Sequence, residues 1–235
     1  MALILCIETG TDICSAGIAR DGELVSLRES EAGRDHARNI AVFVDELLRQ
    51  CDIRPDELDA VAVGRGPGSY TGLRIGVSFA KGLCYGSGIP LLAVDSLASL
   101  AGVAMEDREA GIINVDNWAA ARLCPMVDAR RMEVYSRIFD TAGRPLGDVA
   151  AVVVDGNSFA AFRGGDAPFV IFGSGAAKCS EVLPDAVLVD VVPSVRGMVR
   201  LAEEAFRAGE FVDVAYFEPL YLKDFVVTTR KKPLL

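Results

Sequence analysis

A glycine-rich turn between a short apolar strand and an apolar helix constrains this chain more than any other segment. The stretch Gly64–Gly76 reads GRGPGSYTGLRIG, and its first three glycines alternate directly after the apolar run Val61–Val63. Glycine adopts positive φ and lets two backbones approach closely, so the pattern predicts a tight strand-to-helix turn. The chain is therefore expected to pass from a buried strand straight into a helix.

The helix predicted after this turn has apolar side chains on more than one face. Its only charges before Gly86 are Arg74 and Lys81. The apolar residues around the rest of its circumference are Leu73, Ile75, Val77, Phe79 and Cys84. A surface helix needs only one apolar stripe. Either the helix is buried within its own domain, or a second face contacts another chain, and we favour the second interpretation.

The first half of the chain shows strand and helix patterns in the order βββαβαβα. The predicted elements are strands Leu3–Glu8, Ile13–Ala19 and Glu23–Glu29, helix Ala37–Cys51, strand Leu58–Gly64, helix Tyr70–Tyr85, strand Pro90–Val94 and helix Ser96–Met105. A run of strands followed by alternating strands and helices is typical of an α/β protein with a mixed sheet.

The second half repeats this order. Its predicted elements are strands at Met126–Asp128, Glu133–Phe139, Val149–Val154, Phe169–Gly173 and Ala186–Val192, then a helix at Ser194–Ala208. Unless the match between the halves is accidental, the chain has an α/β, two-lobed actin-like fold, built from a duplicated ribonuclease-H-like unit with a cleft between the copies. We place the N-terminal lobe at residues 1–105 and the smaller C-terminal lobe at 106–235, ending in a return strand or tail at Tyr216–Lys232.

The composition indicates a globular protein of the cytoplasm. Apolar residues make up 51% of the 235 residues, and no apolar run approaches the length of a membrane-spanning helix. The net charge is −9, which argues against a chain that binds nucleic acid by itself through a basic face. The six cysteines form no C-x-x-C pair, so we expect reduced, mostly buried thiols and neither a zinc site nor a redox motif.

Five segments carry a resemblance to a known family: Ile4–Thr11, Gly64–Gly76, Ser78–Leu83, Asp128–Tyr135 and Pro219–Leu222. Together they resemble the TsaB family, also called YeaZ, of bacterial tRNA threonylcarbamoyladenosine synthesis. The resemblance spans residues 3–223, and the glycine turn and Asp128–Tyr135 are its specific parts. Similarity to the catalytic paralogue TsaD is also visible in residues 7–9 and 66–94.

The resemblance implies that the metal-dependent transfer step is absent from this chain. TsaD places two histidines four residues apart on the helix after the strand that ends near Val94, where both reach one metal ion. The corresponding positions here are Ser96 and Leu100, and His36 is the only histidine in the chain. We therefore predict no metal site. Asp95, directly before the helix, is interpreted as a helix cap rather than a ligand.

Other catalytic interpretations find little support in the sequence. His36 opens a helix with no nucleophile near it, so we expect it to face solvent or cap the helix. Ser69 lacks the G-x-S-x-G context of a nucleophile elbow. Glu8, Gly10 and Thr11 lie where actin-like ATPases hold phosphate in a hairpin turn, so they form a possible, vestigial nucleotide site. An actin-like small-molecule kinase and a protease remain the alternative functions.

The resemblance implies that the two helices of the N-terminal lobe pack against the same pair in the catalytic partner. Gly72 and Gly76 are expected to allow close helix approach, and charged residues to form rim salt bridges. The predicted partner-binding residues are Arg38 and Val42 on the first helix, and Gly72, Leu73, Arg74, Gly76, Val77 and Phe79 on the second.

The function implied by the resemblance is that of a non-catalytic scaffold subunit. It would bind and activate TsaD during threonylcarbamoylation of adenosine 37 in tRNAs that read codons starting with A. A TsaE-type ATPase completes the expected assembly, tRNA is contacted indirectly, and the isolated chain is expected to form a homodimer. No cofactor is predicted, except ATP or ADP at a partner interface. The basic residues Lys223 and Arg230–Lys232 are interpreted as a solvated tail.

Overall fold

The computed structural model describes residues 2–30, 33 and 35–223, and it contains two mixed sheets with four α-helices. The first-lobe elements are β1 (Leu3–Glu8), β2 (Ser15–Arg20), β3 (Glu23–Glu29), α1 (His36–Gln50), β4 (Ala60–Gly64), α2 (Tyr70–Ser87) and β5 (Leu91–Val94). The elements that follow are α3 (Ser96–Glu109), β6 (Arg122–Asp128), β7 (Glu133–Ser136), β8 (Ala150–Val153), β9 (Phe169–Phe172), β10 (Val187–Leu188), α4 (Val199–Ala208) and β11 (Phe211–Val212).

Apart from β11, an additional edge strand of the first sheet, the two sheets have the same strand order, which confirms the predicted duplication. The first sheet runs β11-β5-β4-β1-β2-β3 and the second β10-β9-β6-β7-β8. In both, the strand at the centre pairs antiparallel with the next strand in sequence and parallel with a later one. β10 is only two residues long, much shorter than the predicted strand Ala186–Val192. The structure is thus the α/β, two-lobed arrangement that the sequence predicts.

Alternating side chains of β1 enter two different cores of the first lobe. Leu5 and Ile7 pack with the apolar faces of α1 and α2, whereas Ile4 and Cys6 pack with α4 on the opposite face of the sheet. This alternation follows from the two-residue period of a strand. The first sheet is therefore covered by helices on both faces, and α1 and α2 lie side by side on one of them.

α3 joins the two lobes. Its apolar residues, including Leu97 and Leu100, belong to the core of the second lobe, together with β6 and β9. Its other side packs closely on the 3-10 turn Val195–Met198, which leads into α4. A Cβ on Gly197 would lie 2.0 Å from the Ser99 carbonyl oxygen, so only glycine permits this contact.

The predicted lobe boundary between residues 105 and 106 is wrong. It cuts through α3, whose apolar residues belong to the second lobe. Residues 195–212 return to the first lobe, where α4 packs on the sheet and β11 pairs antiparallel with β5. The return strand is therefore residues 211–212. The predicted segment Tyr216–Lys232 contains no strand in its described part, residues 216–223, and its remainder lies outside the described residues.

The glycine turn packs directly against the turn between β1 and β2. Ser69 caps α2, and its amide donates to the Gly10 carbonyl at 2.7 Å. The Thr9 hydroxyl donates to the Gly72 carbonyl at 2.8 Å. A Cβ on Gly72 would lie 2.0 Å from the Thr9 carbonyl oxygen, and one on Gly76 would lie 2.2 Å from Thr9 Oγ1. The glycines thus allow α2 to contact its own sheet.

The cysteines are placed as the sequence analysis predicts. All six cysteines are free, and every one except the partly buried Cys51 is buried, as predicted. Burial raises the pKa of Cys6 and Cys124 to about 12, so both thiols stay protonated at neutral pH.

Among the described residues, no helix combines the length and apolar character that crossing a membrane requires.

Replacing Gly72 with Ala should destabilise the chain. The new methyl group would overlap the backbone at Thr9, so α2 or the turn must shift, and overpacking of this kind costs about 1–3 kcal/mol. Gly82→Ala is the matched control, because a Cβ there meets no atom within 4 Å. Alanine at an exposed helical position should stabilise by about 0.5–1 kcal/mol. Urea unfolding measures the free energy of unfolding of both variants, and equal changes in the two would contradict the packing role of Gly72.

Candidate partner-binding face and inter-lobe cleft

The inward face of α2 holds four of the residues that were predicted to contact a partner. Leu73 is 1% exposed and Val77 is 4% exposed, and Val77 packs in the core between α2 and the first sheet. Gly72 and Gly76 lie against Thr9 of the same chain. The prediction of these four residues as partner contacts is therefore wrong, because their side chains or Cα atoms are already covered within the lobe.

A second face of α1 and α2 is nevertheless exposed. On α1, Arg38 is exposed and Val42 is 45% exposed. On α2, Arg74 and Gly82 are exposed, and Tyr85 is 88% exposed. We call these five residues the α1/α2 face. Phe79, also predicted as a contact, is half-buried against the core of its own lobe.

The segment after β11 runs along the flank of α2, an arrangement that the sequence analysis missed. Lys81 Nζ donates to the carbonyl oxygens of Ala215 and Phe217, at 2.9 and 3.1 Å. Further on, the rings of Tyr70 and Tyr221 are in contact, tilted by 41° with their centroids 4.9 Å apart. These contacts bring residues 220–223 to the start of α2, at the mouth of the cleft.

The inter-lobe cleft contains a cavity of about 440 Å³. Its first-lobe wall is formed by the β1–β2 turn (residues 10–12) and the start of α2 (residues 67–71). Its second-lobe wall is formed by the β6–β7 turn and Ser174, and residues 220–223 close one side. This is the region where the sequence analysis placed a vestigial nucleotide site.

Glu8 lies buried beneath the first-lobe wall. Its Oε1 accepts a hydrogen bond from the Gly10 amide at 2.7 Å, and its Oε2 accepts one from the Ser96 hydroxyl at 2.8 Å. A Cβ on Gly64 would lie 2.2 Å from Glu8 Oε2, so the first glycine of the glycine turn makes room for this carboxylate. Burial raises the pKa of Glu8 above its ordinary value of 4.5, although the two hydrogen bonds oppose the shift.

The predicted phosphate-binding groups of the β1–β2 turn are engaged within the chain. Because the Gly10 amide donates to Glu8, it is not free to bind a phosphate, which corrects the expectation for this residue. The Thr11 hydroxyl accepts from the Ile13 amide at 3.3 Å. Nucleotide binding at Thr11 stays a prediction.

The second-lobe wall carries paired charges. The Asp128 carboxylate forms an ion pair with Lys178, and it also accepts from the Arg130 amide at 3.2 Å. Arg130 and Arg131 both have positive φ, at 72° and 52°, in the tight turn between β6 and β7. This turn lacks the glycine that a phosphate-binding turn places after its acidic residue.

The two positions that correspond to the paralogue's histidines have structural roles. The Ser96 hydroxyl donates to Glu8 and accepts from the Gly66 amide at 3.1 Å. Leu100 is buried in the core of the second lobe. Within residues 2–30, 33 and 35–223, no group of three or more His, Cys, Asp or Glu side chains is placed to hold a metal ion.

His36 is buried, so the expectation that it faces solvent or caps α1 is wrong. It is 6% exposed, and its Nε2 lies 2.7 Å from the Thr11 carbonyl oxygen, to which the ring N–H donates. The N-cap of α1 is Asp35. The cap prediction for Asp95 is confirmed, because its Oδ1 accepts from the amides of Leu97 and Ala98 at 2.9 and 3.1 Å.

Glu8→Gln should change how stability depends on pH. Since folding raises the pKa of Glu8, the parent chain loses the stability contribution of this group as the pH rises through the folded-state pKa. Glutamine carries no charge, so the stability of Glu8→Gln minus that of the parent should increase from pH 4 to pH 8. Urea unfolding across this range measures the difference, and a flat or falling difference would contradict the raised pKa of Glu8 in the folded chain.

The comparisons with known proteins agree with this geometry. A family model described as TsaD, tRNA N6-adenosine threonylcarbamoyltransferase, matches residues 29–229. The Escherichia coli protein named tRNA threonylcarbamoyladenosine biosynthesis protein TsaB is 30% identical over 95% of both chains. Its namesake from Haemophilus influenzae is 36% identical, over 56% of this chain and 51% of that protein.

Solved structures match the fold. YeaZ from Pseudomonas aeruginosa superposes with a TM-score of 0.79 and 29% identity, covering 94% of this chain and all of the other. Component A of (R)-2-hydroxyglutaryl-CoA dehydratase from Acidaminococcus fermentans matches at a TM-score of 0.51 with 11% identity, covering 89% of this chain and all of the other, which shows a common two-lobed actin-like fold alone. From the identity, the coverage and the fold together, the chain belongs to the TsaB (YeaZ) family.

Proposed function

We propose that this chain is the non-catalytic subunit of the assembly that makes threonylcarbamoyladenosine at position 37 of tRNAs reading codons that start with A. It would bind the TsaD catalytic subunit through the α1/α2 face and hold it in an active state. The relatives named for tRNA threonylcarbamoyladenosine biosynthesis support a role in that pathway. The observation that carries the scaffold role is an exposed helical face beside a cleft in which the Gly10 amide is already bonded to Glu8.

The composition of the α1/α2 face supports protein binding. Tyrosine and arginine are enriched among the residues that dominate binding energy, and Tyr85, Arg38 and Arg74 all lie on this face. Val42 adds an exposed apolar side chain beside them. Burying such a residue in an interface contributes about 1.5–3 kcal/mol.

Exposed glycines within α2 support the same conclusion. A Cβ on Gly82 or Gly86 would meet no atom within 4 Å, so neither glycine serves packing in the isolated chain. Glycine inside a helix is about 1 kcal/mol less favourable than alanine. A second helix that packs closely against this face would contact Gly82 and Gly86, which have no packing role within the lobe itself. They replace Gly72 and Gly76 as the proposed points of close approach.

The partner would supply the chemistry that this chain is proposed to lack. TsaD would hold the metal ion and transfer the threonylcarbamoyl group, and a TsaE-type ATPase would complete the assembly. Because the net charge is −9, tRNA would be held mainly by the partners. We propose no cofactor for the chain itself, and ATP or ADP only where a partner contributes to the site. Alone, the same face would pair two copies of the chain.

The two alternative functions gain no support from the site. A small-molecule kinase needs donors for phosphate in the cleft, but the Gly10 amide is bound to Glu8. A protease that uses Ser69 or His36 needs the two side chains together. Ser69 instead caps α2, and His36 is bonded to Thr11 at the start of α1.

Gly82→Glu should weaken binding to purified TsaD by about tenfold or more, because a charged side chain would occupy the space of an approaching helix. Gly147→Glu is the matched control, since a Cβ there also meets no atom within 4 Å and the site is in the second lobe. Titration calorimetry gives both affinities. Unchanged binding by Gly82→Glu would exclude the α1/α2 face as the contact.

A second pair of variants tests the α1 side of this face. Val42→Glu should also weaken TsaD binding by about tenfold, whereas Val153→Glu on β8 should not, although both valines are exposed. Light scattering of the isolated variants measures how much homodimer forms, and Val42→Glu should weaken the homodimer whereas Val153→Glu should not. If Val42→Glu binds TsaD normally and still dimerises, the proposed face is wrong.

A further inference from the structure

A tight turn follows β11 and lies against the flank of α2. It is formed by residues 213–217, and we call it the Tyr216 turn. The Asp213 carboxylate accepts from the amides of Ala215 and Tyr216, at 2.7 and 3.0 Å. From α2, Lys81 Nζ donates to two carbonyl oxygens of the same turn. These hydrogen bonds hold the short backbone of the turn in one conformation.

The Tyr216 turn presents one aromatic side chain to solvent. Val214 and Phe217 pack against the apolar core between the first sheet and the helices α1 and α2. Tyr216, between these two anchors, is 84% exposed. Tyrosine is enriched among the residues that dominate binding energy. Because the backbone beneath Tyr216 is already fixed, a partner that covers its ring orders little else.

The Tyr216 turn lies beside the α1/α2 face. Lys81, which holds the turn, directly precedes Gly82 of that face. Tyr85 lies four residues after Lys81 and three after Gly82, so it is the helical neighbour of both. A helix with its side chains is about 10–12 Å wide. A partner helix packed over Gly82 would therefore reach the turn as well.

An unpaired carboxylate close to Tyr216 indicates the charge of the surface that would cover it. Glu218 is exposed, and within the part of the chain that the structure describes it takes part in no ion pair. Binding surfaces place charges of opposite sign against each other. The covering surface is therefore expected to combine an apolar pocket with a basic side chain.

We infer that the Tyr216 turn is a second contact for the TsaD catalytic subunit, beside the α1/α2 face. The ring of Tyr216 would enter an apolar pocket of TsaD, and Glu218 would pair with a basic side chain at the edge of that pocket. Lys81 would be a positioning residue, because both of its hydrogen bonds go to the turn. This inference rests on the proposed function and extends its interface by a separate segment of the chain.

Tyr216→Ala should weaken binding of the full chain to purified TsaD by about tenfold, because the truncation removes the ring from its pocket. Ile112→Ala is the matched control, since Ile112 is 71% exposed in the segment after α3, and it should bind as the parent does. Titration calorimetry gives the affinities. Urea unfolding should show the parent stability for Tyr216→Ala, because the side chain has little contact within the lobe.

Charge reversal supplies a second pair of variants. Glu218→Lys should also weaken TsaD binding, because it would repel the basic side chain, whereas Glu181→Lys, at an exposed glutamate of the second lobe, should not. Lys81→Met tests the positioning role. It releases the turn, so Tyr216→Ala should cost less affinity in the Lys81→Met chain than in the parent. An equal cost in both would exclude that role.

The Gly82→Glu variant separates this inference from the proposed function. If Gly82→Glu weakens TsaD binding while Tyr216→Ala and Glu218→Lys leave it unchanged, the inference is wrong and the proposed function stands. If none of the three changes the affinity, both are wrong. Normal TsaD binding by Tyr216→Ala together with loss of the homodimer, measured by light scattering, would assign the turn to a second copy of the chain and overturn the inference.

Discussion

The close contact between the start of α2 and the β1–β2 turn is the constraint on which the rest of this structure depends. Three glycines of the stretch 64–76 lie where a Cβ would overlap Thr9 or Gly10, and two short hydrogen bonds join Ser69 and Gly72 to the same turn. The contact holds the start of α2 directly against the turn. It also fixes which face of α2 is buried, and hence which face is free to bind a partner.

The same turn connects the cleft with the α1/α2 face. α1 is held to it by His36, whose ring donates to the Thr11 carbonyl, and α2 is held to it through Ser69. Beneath it, the Glu8 carboxylate accepts from the Gly10 amide, the group that a phosphate would otherwise use. In this protein the hairpin turn positions α1 and α2. We propose that the functional surface is the exposed face of these two helices rather than the cleft.

Strand order and duplication could be predicted from the sequence because both depend on local patterns: alternating apolar residues, glycine turns and their recurrence. The role of the individual glycines could not be predicted in this way. Spacing alone shows that Gly72, Gly76, Gly82 and Gly86 can each permit close approach, but only the fold shows what approaches. The first two face Thr9 and the last two face open space. For the same reason, the sequence placed Leu73 and Val77 on the outside of a helix whose inner face they form.

Contacts between segments that are distant in sequence could not be predicted either. The predicted boundary at residue 105 failed because α3 uses both of its sides, which leaves no amphipathic signal to mark a lobe edge. The burial of His36 depends on the Thr11 carbonyl, a backbone group that a residue pattern cannot reveal. The return of α4 and β11 to the first sheet likewise requires knowing where the free edge of that sheet lies.

Hydrogen exchange of the full chain, alone and with purified TsaD, tests the central claim most directly. The account predicts that TsaD slows exchange in residues 38–49 of α1 and 71–86 of α2, which carry the exposed face. Protection confined to the cleft, at residues 8–12 and 127–131, with α1 and α2 unchanged, would contradict it.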